Sequence, residues 1–382
     1  PKGRWTVFAL EDFSKFPVSH FATQSEEKKD FNKWLNKYES LISIGADQAQ
    51  LLLNRLQYLP KISIIMPVYN TPDIYLREAI QSVIDQQYPH WELCIADDAS
   101  CETNIWDTLQ EFAKADARIK VIQREQNGHI CEASNSALEL VTGDWCAFLD
   151  HDDAYSKDAL LRTVEFMNKY PDAGLFYSDE DKLDVNDKRY DPYFKPDWNP
   201  VLLEGQNFLC HLTVTKTELV RTVGGFEPGL EGSQDWDLFL KITERLKNQH
   251  VIHIPYLLYH WRAIEGSTAL ALEEKEYIRE SSLRALKGHC KRTKSDVEIL
   301  PVAHGHWRLK YGIPETPPKV SIIIPTKDQA SIVETGIESI LNQTIYLNYE
   351  IILVDNNSTE ASTAELFERL KLKGVQILSF PH

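Results

Sequence analysis

Between Lys61 and Ser178 the chain switches repeatedly between two periods, and that alternation constrains its fold more than any other feature. KISIIMPV (61–68) is a β-branched run with a proline near its end, as expected of a strand buried on both faces. An amphipathic helical pattern follows over about 73–87, and then the strand WELCIA (91–96). The strands IKVIQ (119–123), WCAFL (145–149) and AGLFYS (173–178) come next, separated by helical patterns near 104–115, 131–141 and 157–169. Strands joined by helical crossovers pair in parallel and bury both faces under the helices, so the spacing predicts an α/β parallel sheet.

The flanks differ from this centre. Residues 1–60 read as a helical extension, with apolar positions at helical spacing (Phe31, Trp34, Leu35, Tyr38, Leu41, then Leu51, Leu52, Leu56) and Gly45 as a break. The αβ domain extends over 61–300, becoming irregular and aromatic-rich after Ser178, and the proline-rich stretch 301–318 reads as a linker. An internal repeat then begins: KVSIIIPTKD (319–328) matches KISIIMPVYN (61–70), and YEIILVDNNS (349–358) matches WELCIADDAS (91–100). Residues 319–382 therefore read as the incomplete start of a second unit of the same kind. The first residue, Pro1, implies a piece of something longer.

A formal charge of −16 repels phosphate backbones, and no dense basic patch offsets it, so nucleic acid is an unsuitable partner while divalent cations are suitable ones. Six cysteines without a CxxC pair fit a reducing cytoplasm. No apolar run approaches the roughly 20 residues of a membrane span, and the N-terminus lacks the regions of a signal peptide.

Ligands of open parallel sheets bind beyond the carboxyl ends of the strands. Pro67, Tyr69 and Asn70 stand at the first such end, Asp97 and Asp98 at the second, and Asp150, His151, Asp152 and Asp153 after WCAFL. Carboxylates gathered on one edge need a neutralising cation, and Mg²⁺ or Mn²⁺ is commonly held by one or two carboxylates together with a substrate diphosphate. A calcium loop starting at Asp150 is excluded by Tyr155 and Leu161, which occupy the glycine and bidentate glutamate positions. The structural alternative is that Asp152 and Asp153 cap the helix beginning near Ser156, as Ser233, Asp235 and Asp237 would cap the one in GSQDWDLFLK. No GxGxxG follows the first strand and no GxxxxGK[ST] occurs, which argues against dinucleotide and P-loop chemistry.

Taken in order, IIMPVYN, ADDAS, QNGHICEASNSAL, GDWCAFLDHDD, YSDED and GSQDWDL resemble the inverting family 2 glycosyltransferases of the GT-A fold, over about 61–270 with a partial second match at 319–382. The resemblance implies a Rossmann-like, mostly parallel sheet flanked by helices. It places Pro67, Tyr69, Asn70 and Asp98 in the nucleotide pocket and makes Asp150 and Asp152 a DxD pair holding Mn²⁺ or Mg²⁺ on the donor diphosphate. Asp235 becomes the catalytic base, with Gln234 in place of the usual glutamate.

It further implies that His260 is an additional metal ligand and that Arg262 contacts the diphosphate. The stretch from Ser178 to Lys182, Asp179 included, would border the donor sugar, its alternative being a solvated acidic turn. Of the tryptophans, Trp236 beside the base is the one expected to stack on an acceptor sugar. In the second copy Asn356 stands where Asp98 stands, and Lys327 and Asp328 replace Tyr69 and Asn70.

The implied reaction moves a sugar from a nucleoside diphosphate donor of UDP or dTDP type to a hydroxyl of a glycan or lipid-linked glycan. The setting would be synthesis of a bacterial surface polysaccharide such as O-antigen or capsule, in the cytoplasm and at the inner face of its membrane by peripheral association. Two competing readings are a nucleotide-sugar-binding module without turnover and a nucleotidyltransferase. The latter would want a glycine-rich, basic phosphate loop that MPVYNTPD lacks.

Overall fold

The computed structural model describes residues 31–37, 43–263 and 276–380. The helical preamble comprises α1 (31–37) and α2 (Ala46–Leu53), the latter starting directly after Gly45. Phe31 and Leu35 of α1 pack on Leu257, burying the apolar stripe that marked the helix. Tyr38 and Leu41 lie outside the described residues.

All seven residues of β1 (Ile62–Val68) and of β2 (Trp91–Asp97) are buried, and the two strands pair in parallel with Ile62 opposite Trp91. Successive residues of β1 serve opposite layers: Ile64 and Met66 join one apolar cluster and Ile65 joins the other. That is why the run shows no polar alternation. The crossover helices α3 (Asp73–Ile84), α4 (Thr103–Ala115) and α5 (His129–Glu139) carry the chain to β3 (Ile119–Gln123), on the outer edge of β2, and to β4 (Trp145–Phe148), on the free edge of β1.

Beyond β4 the sheet becomes mixed. The remaining elements are β5 (Ala154–Tyr155), α6 (Ala159–Lys169), β6 (Leu175–Leu183), β7 (Arg189–Tyr193), α7 (Pro200–Gly205), β8 (Thr213–Lys216), α8 (Thr217–Thr222), α9 (Gln234–Thr243), β9 (Val251–Arg262) and α10 (Glu276–Thr293). Nine strands run in the order β3-β2-β1-β4-β8-β6-β9-β5, with β7 paired to β6. β8 is antiparallel to both neighbours, so it joins a parallel half to a second half in which β6 and β9 are parallel. The fold is thus a large α/β sheet flanked by helices. The acidic stretch from Ser178 to Asp181, open to reading as a solvated turn, lies inside β6 and is buried.

The span 301–318 is not uniformly a linker. β10 (Val297–Pro301) and β11 (Trp307–Tyr311) form a two-stranded hairpin, and the first compact unit extends to Lys310. Trp307 anchors it: the ring is buried, its Nε1–H donates to Ser282 Oγ at 3.0 Å, and its carbonyl lies so near Gly205 that an added Cβ there would stand 3.1 Å away. Composition marked the stretch as proline-rich, but one large apolar side chain decides where it packs.

The unit from Tyr311 onward contains β12 (Val320–Thr326), α11 (Ala330–Gln343), β13 (Tyr349–Asp355), α12 (Ala361–Leu372) and β14 (Gln376–Ser379), in a parallel sheet ordered β12-β13-β14. Val320 pairs with Tyr349 as Ile62 pairs with Trp91. The repeat reaches the turn hydrogen bonds: Asn70 N donates to Ser100 Oγ at 3.0 Å and Asp328 N to Ser358 Oγ at 2.7 Å. Among the described residues no helix is long and apolar enough to cross a membrane.

Candidate active site

The carboxyl ends of β1, β2 and β4 open on one cleft of about 1660 Å³, completed by the loop after α7 and the start of α9. Pro67, Tyr69, Asp98, Asp150, Asp235 and Trp236 line it. These six share a single cavity, whereas Asn70, Asp152, Asp179, His260 and Arg262 do not line it.

At one end of the cleft Asp98 is buried; its carboxylate forms an ion pair with the Arg124 guanidinium, Nε 2.9 Å away, and accepts the Gly128 N–H at 3.0 Å. Any Cβ at Gly128 would fall 2.6 Å from Arg124 Nη2, so glycine is what lets the loop close on this pair. Tyr69 is 43% exposed and offers its ring to the cavity. Asn70 turns away from it: with φ +48°, it receives Cys101 N–H on Oδ1 at 2.8 Å and ties the β1–α3 turn to the β2–α4 turn. Asparagine tolerates that left-handed backbone better than most residues. Its expected contact with the nucleotide becomes a loop-bracing role.

The acidic turn after β4 splits its residues. Asp150 faces the cleft with 42% of its side chain open, while Asp152 keeps 17% and stands off the lining. A hydrogen bond from Asp153 N to the Asp150 carbonyl (3.2 Å) tightens the turn, and Arg262 Nε holds the Asp152 carbonyl at 2.9 Å. Neither Asp152 nor Asp153 caps a helix, because α6 begins at Ala159 behind Asp158. Asp153 is instead buried, accepting Tyr259 Oη at 2.5 Å and Arg262 N at 2.7 Å.

Three further residues expected at the site lie off the cavity lining. Asp179 is buried and accepts Lys195 N (2.8 Å) and faces His253 Nε2 (2.7 Å), so Glu180 is the member of its acidic run that reaches the cleft. His260, adjacent to β5, directs Nδ1 to Asp181 at 2.6 Å and does not line the cavity. The buried Arg262 guanidinium pairs with Asp187 (2.5 Å) and Glu78 (2.6 Å), a clamp across three segments, and does not line the cavity. Trp236 lines the cleft but is packed in the core with its N–H on the Leu203 carbonyl at 2.8 Å, whereas Trp261 is the less buried indole of the lining.

His211, which the sequence reading passed over, occupies the centre. Its Nε2 lies 3.7 Å from Asp150 Oδ2, its Nδ1 lies 3.3 Å from Glu180, its backbone N–H donates to Glu180, and its ring stacks on Tyr259 at 4.5 Å. Burial alone would lower its pKa, but Glu180, Asp150 and Asp153 outweigh it and raise it to about 9. Burial pushes the Asp150 carboxyl up, a trend His211 opposes and Asp152 reinforces. Asp235 is held in the first turn of α9 by Asn207 Nδ2 (2.9 Å) and by the Trp236 N–H (2.8 Å). Ligand atoms of Cys210, His211 and Asp235 lie within 4.8 Å of one another.

These residues fit a divalent cation. Asp150 Oδ2 and His211 Nε2 stand 3.7 Å apart on one cleft, and carboxylate with imidazole is a donor set for Mn²⁺-like ions. The Cys210 thiol, raised well above its ordinary range by burial, is the poorest donor of the group. No local period marks His211 or Asn207, both in the irregular segment between α7 and β8. Their proximity to Asp235 in space was the only signal.

The model of "Glycosyl transferase family 2" matches residues 63–222 and again 321–382. An uncharacterized protein y4gI of Sinorhizobium fredii is 42% identical over 87% of this chain and 38% of its own length. The O-antigen biosynthesis protein RfbC of Myxococcus xanthus is 36% identical over 89% of this chain and 26% of its own. The chain thus spans roughly a third of these two relatives. The putative colanic acid biosynthesis glycosyl transferase WcaA of Escherichia coli is 31% identical over 60% of this chain and 79% of its own. The family match covers more than half of the chain, and with the ordered motifs it shows that the chain belongs to glycosyl transferase family 2.

Proposed function

We propose that the first unit transfers a sugar, with inversion, from a nucleoside diphosphate donor to a hydroxyl of a glycan or lipid-linked glycan, in synthesis of a bacterial surface polysaccharide. The observation that carries this reading is that Asp150, His211 and Asp235 line the same cleft as Tyr69 and Asp98, with His211 3.7 Å from Asp150. The names of the relatives from Myxococcus and Escherichia support the polysaccharide setting.

In this reading Tyr69, Pro67 and Asp98 receive the nucleoside. Asp150 and His211 would hold a divalent cation, Mn²⁺ or Mg²⁺, which when bound offsets the charge gathering on the departing diphosphate. Asp152, displaced from the lining, supports the turn. Asp235 takes the proton of the acceptor hydroxyl as the new glycosidic bond forms and the bond to the diphosphate breaks. Asn207 Nδ2 on one oxygen and the Trp236 N–H on the other fix the orientation of the carboxylate, and each oxygen keeps a lone pair for the acceptor proton.

The test is a thermal-shift panel of UDP, dTDP, GDP and ADP with and without Mn²⁺, on the wild-type chain and on Asp150→Asn. A ligand at about 100 times its Kd adds about 2.7 kcal/mol to the folded state. One nucleotide should raise Tm in a Mn²⁺-dependent manner, and Asp150→Asn should abolish the metal dependence. A flat response to all four nucleotides would sink the reading. For the unit from Tyr311 onward we infer the start of a second GT-A unit, supported by its match to the same family and by the repeated strand register.

A further inference from the structure

The cleft is larger than one substrate requires. Its volume of about 1660 Å³ exceeds the roughly 300–1,000 Å³ of ordinary small-molecule sites. Past Asp235 it continues into a half lined by Tyr277, Ile278 and Arg279 from the first turn of α10 and by Val302 and His306 from the loop joining β10 to β11.

This half is built onto the proposed base. Gly232 precedes α9 with φ +81°, and a Cβ there would stand 2.9 Å from Ile278 Cγ1 and 3.2 Å from Tyr277 Cε2. The start of α10 therefore lies directly on the loop that presents Asp235, and only glycine permits the approach. Through the bond from Trp307 to Ser282, the hairpin is fixed to the same helix. Loop, helix and hairpin form one wall, yet Tyr277 remains 50% exposed and Val302 47% exposed.

We propose that this wall is the acceptor subsite, that its ligand is the terminal pyranose of an acceptor glycan, and that Tyr277 is the platform for the sugar's apolar face. The inference rests on the inverting reading above. In an inverting displacement the acceptor oxygen arrives opposite the leaving diphosphate. With the donor along Tyr69, Asp98 and Asp150, the acceptor enters from the far side of Asp235. A pyranose presents C–H bonds on one face and hydroxyls at its rim, which suits a phenol ring in a cleft that Arg279, Glu231 and His306 also line. A lipid chain would want a continuous apolar surface, and those three side chains interrupt it.

The experiment uses saturation-transfer NMR on the full chain with diamagnetic Mg²⁺ and the nucleotide identified by thermal shift. The probes are methyl and octyl glycosides of glucose, galactose, N-acetylglucosamine, mannose and rhamnose. At least one methyl glycoside should bind through its sugar C–H protons, and Tyr277→Ala should weaken it between about threefold and tenfold. Tyr277→Phe should restore binding, and neither substitution should alter the nucleotide shift. Equal binding to Tyr277→Ala, absence of glycoside binding beside a normal nucleotide shift, or binding of octyl glycosides alone regardless of sugar would each overturn the proposal. If no nucleotide binds, the functional reading has failed and the subsite falls with it.

Discussion

The hydroxyl of Tyr259 donates to Asp153 Oδ2 at 2.5 Å and accepts the backbone N–H of Asp150 at 3.3 Å, so one buried phenol spans both ends of the acidic turn. The same ring carries His211 on its face. Two groups that face the cleft thus depend on a residue that does not. Outer partners of metal ligands commonly govern affinity by 10- to 100-fold.

Tyr259→Phe removes the hydroxyl and keeps the ring, so His211 retains its stack while the turn loses its brace. The expected result is at least about a tenfold rise in the Mn²⁺ concentration giving a half-maximal thermal shift with bound nucleotide. Loss of the buried hydrogen bonds should cost about 1–3 kcal/mol of stability. Titration of Mn²⁺ against Tm measures the first and urea unfolding the second.

Asp235→Asn keeps the size of the side chain and its place in α9 but cannot take a proton. Turnover should fall by roughly 10²–10⁴ while nucleotide affinity stays unchanged. Asn207→Ala should lower kcat by a smaller factor, since the carboxylate survives and loses only its anchor. Steady-state kinetics alongside nucleotide titration separate these effects.

The split of the acidic turn predicts unequal phenotypes for the two acids of the DxD pair. Asp150→Asn should remove metal-dependent nucleotide binding, whereas Asp152→Asn should leave most of it, because only Asp150 lines the cleft. Isothermal titration of nucleotide with Mn²⁺ distinguishes them, and equal losses would contradict the geometry.

His289 on α10 sits between Glu204 and Glu244, with its Nδ1 2.8 Å from Glu244. Burial would lower its pKa, yet the two carboxylates raise it from 6.5 to about 9. A group raised on folding stabilises fully below its unfolded pKa and loses that contribution as pH rises through the folded one. The contribution, at most about 3 kcal/mol, should be present at pH 6 and fade between pH 6.5 and about 9. Tm should fall more steeply over that interval in the wild type than in His289→Gln.

Much of the architecture was legible in the residues alone. The β-branched runs of β1 and β2, the amphipathic helices between them and the repeat at 319–358 each follow from local period, which any compact fold must honour. The positions of Pro67, Tyr69, Asp98, Asp150 and Asp235 at strand ends and a helix start followed from the same pattern, and all of them line the cleft.

Only tertiary structure decided which polar groups face it. In β6 Glu180 reaches the cavity while Asp179 and Asp181 are engaged by His253 and His260 of β9. Arg262 and His260 lie on β9, where neighbouring strands and loops supply acids that claim them. His211, Asn207 and Trp307 come from segments with no repeating period, so their places depend on long-range packing. A sequence specifies periods and strand ends because those interactions are local; it leaves the orientation of a buried charge to the opposite charge that the completed fold brings beside it.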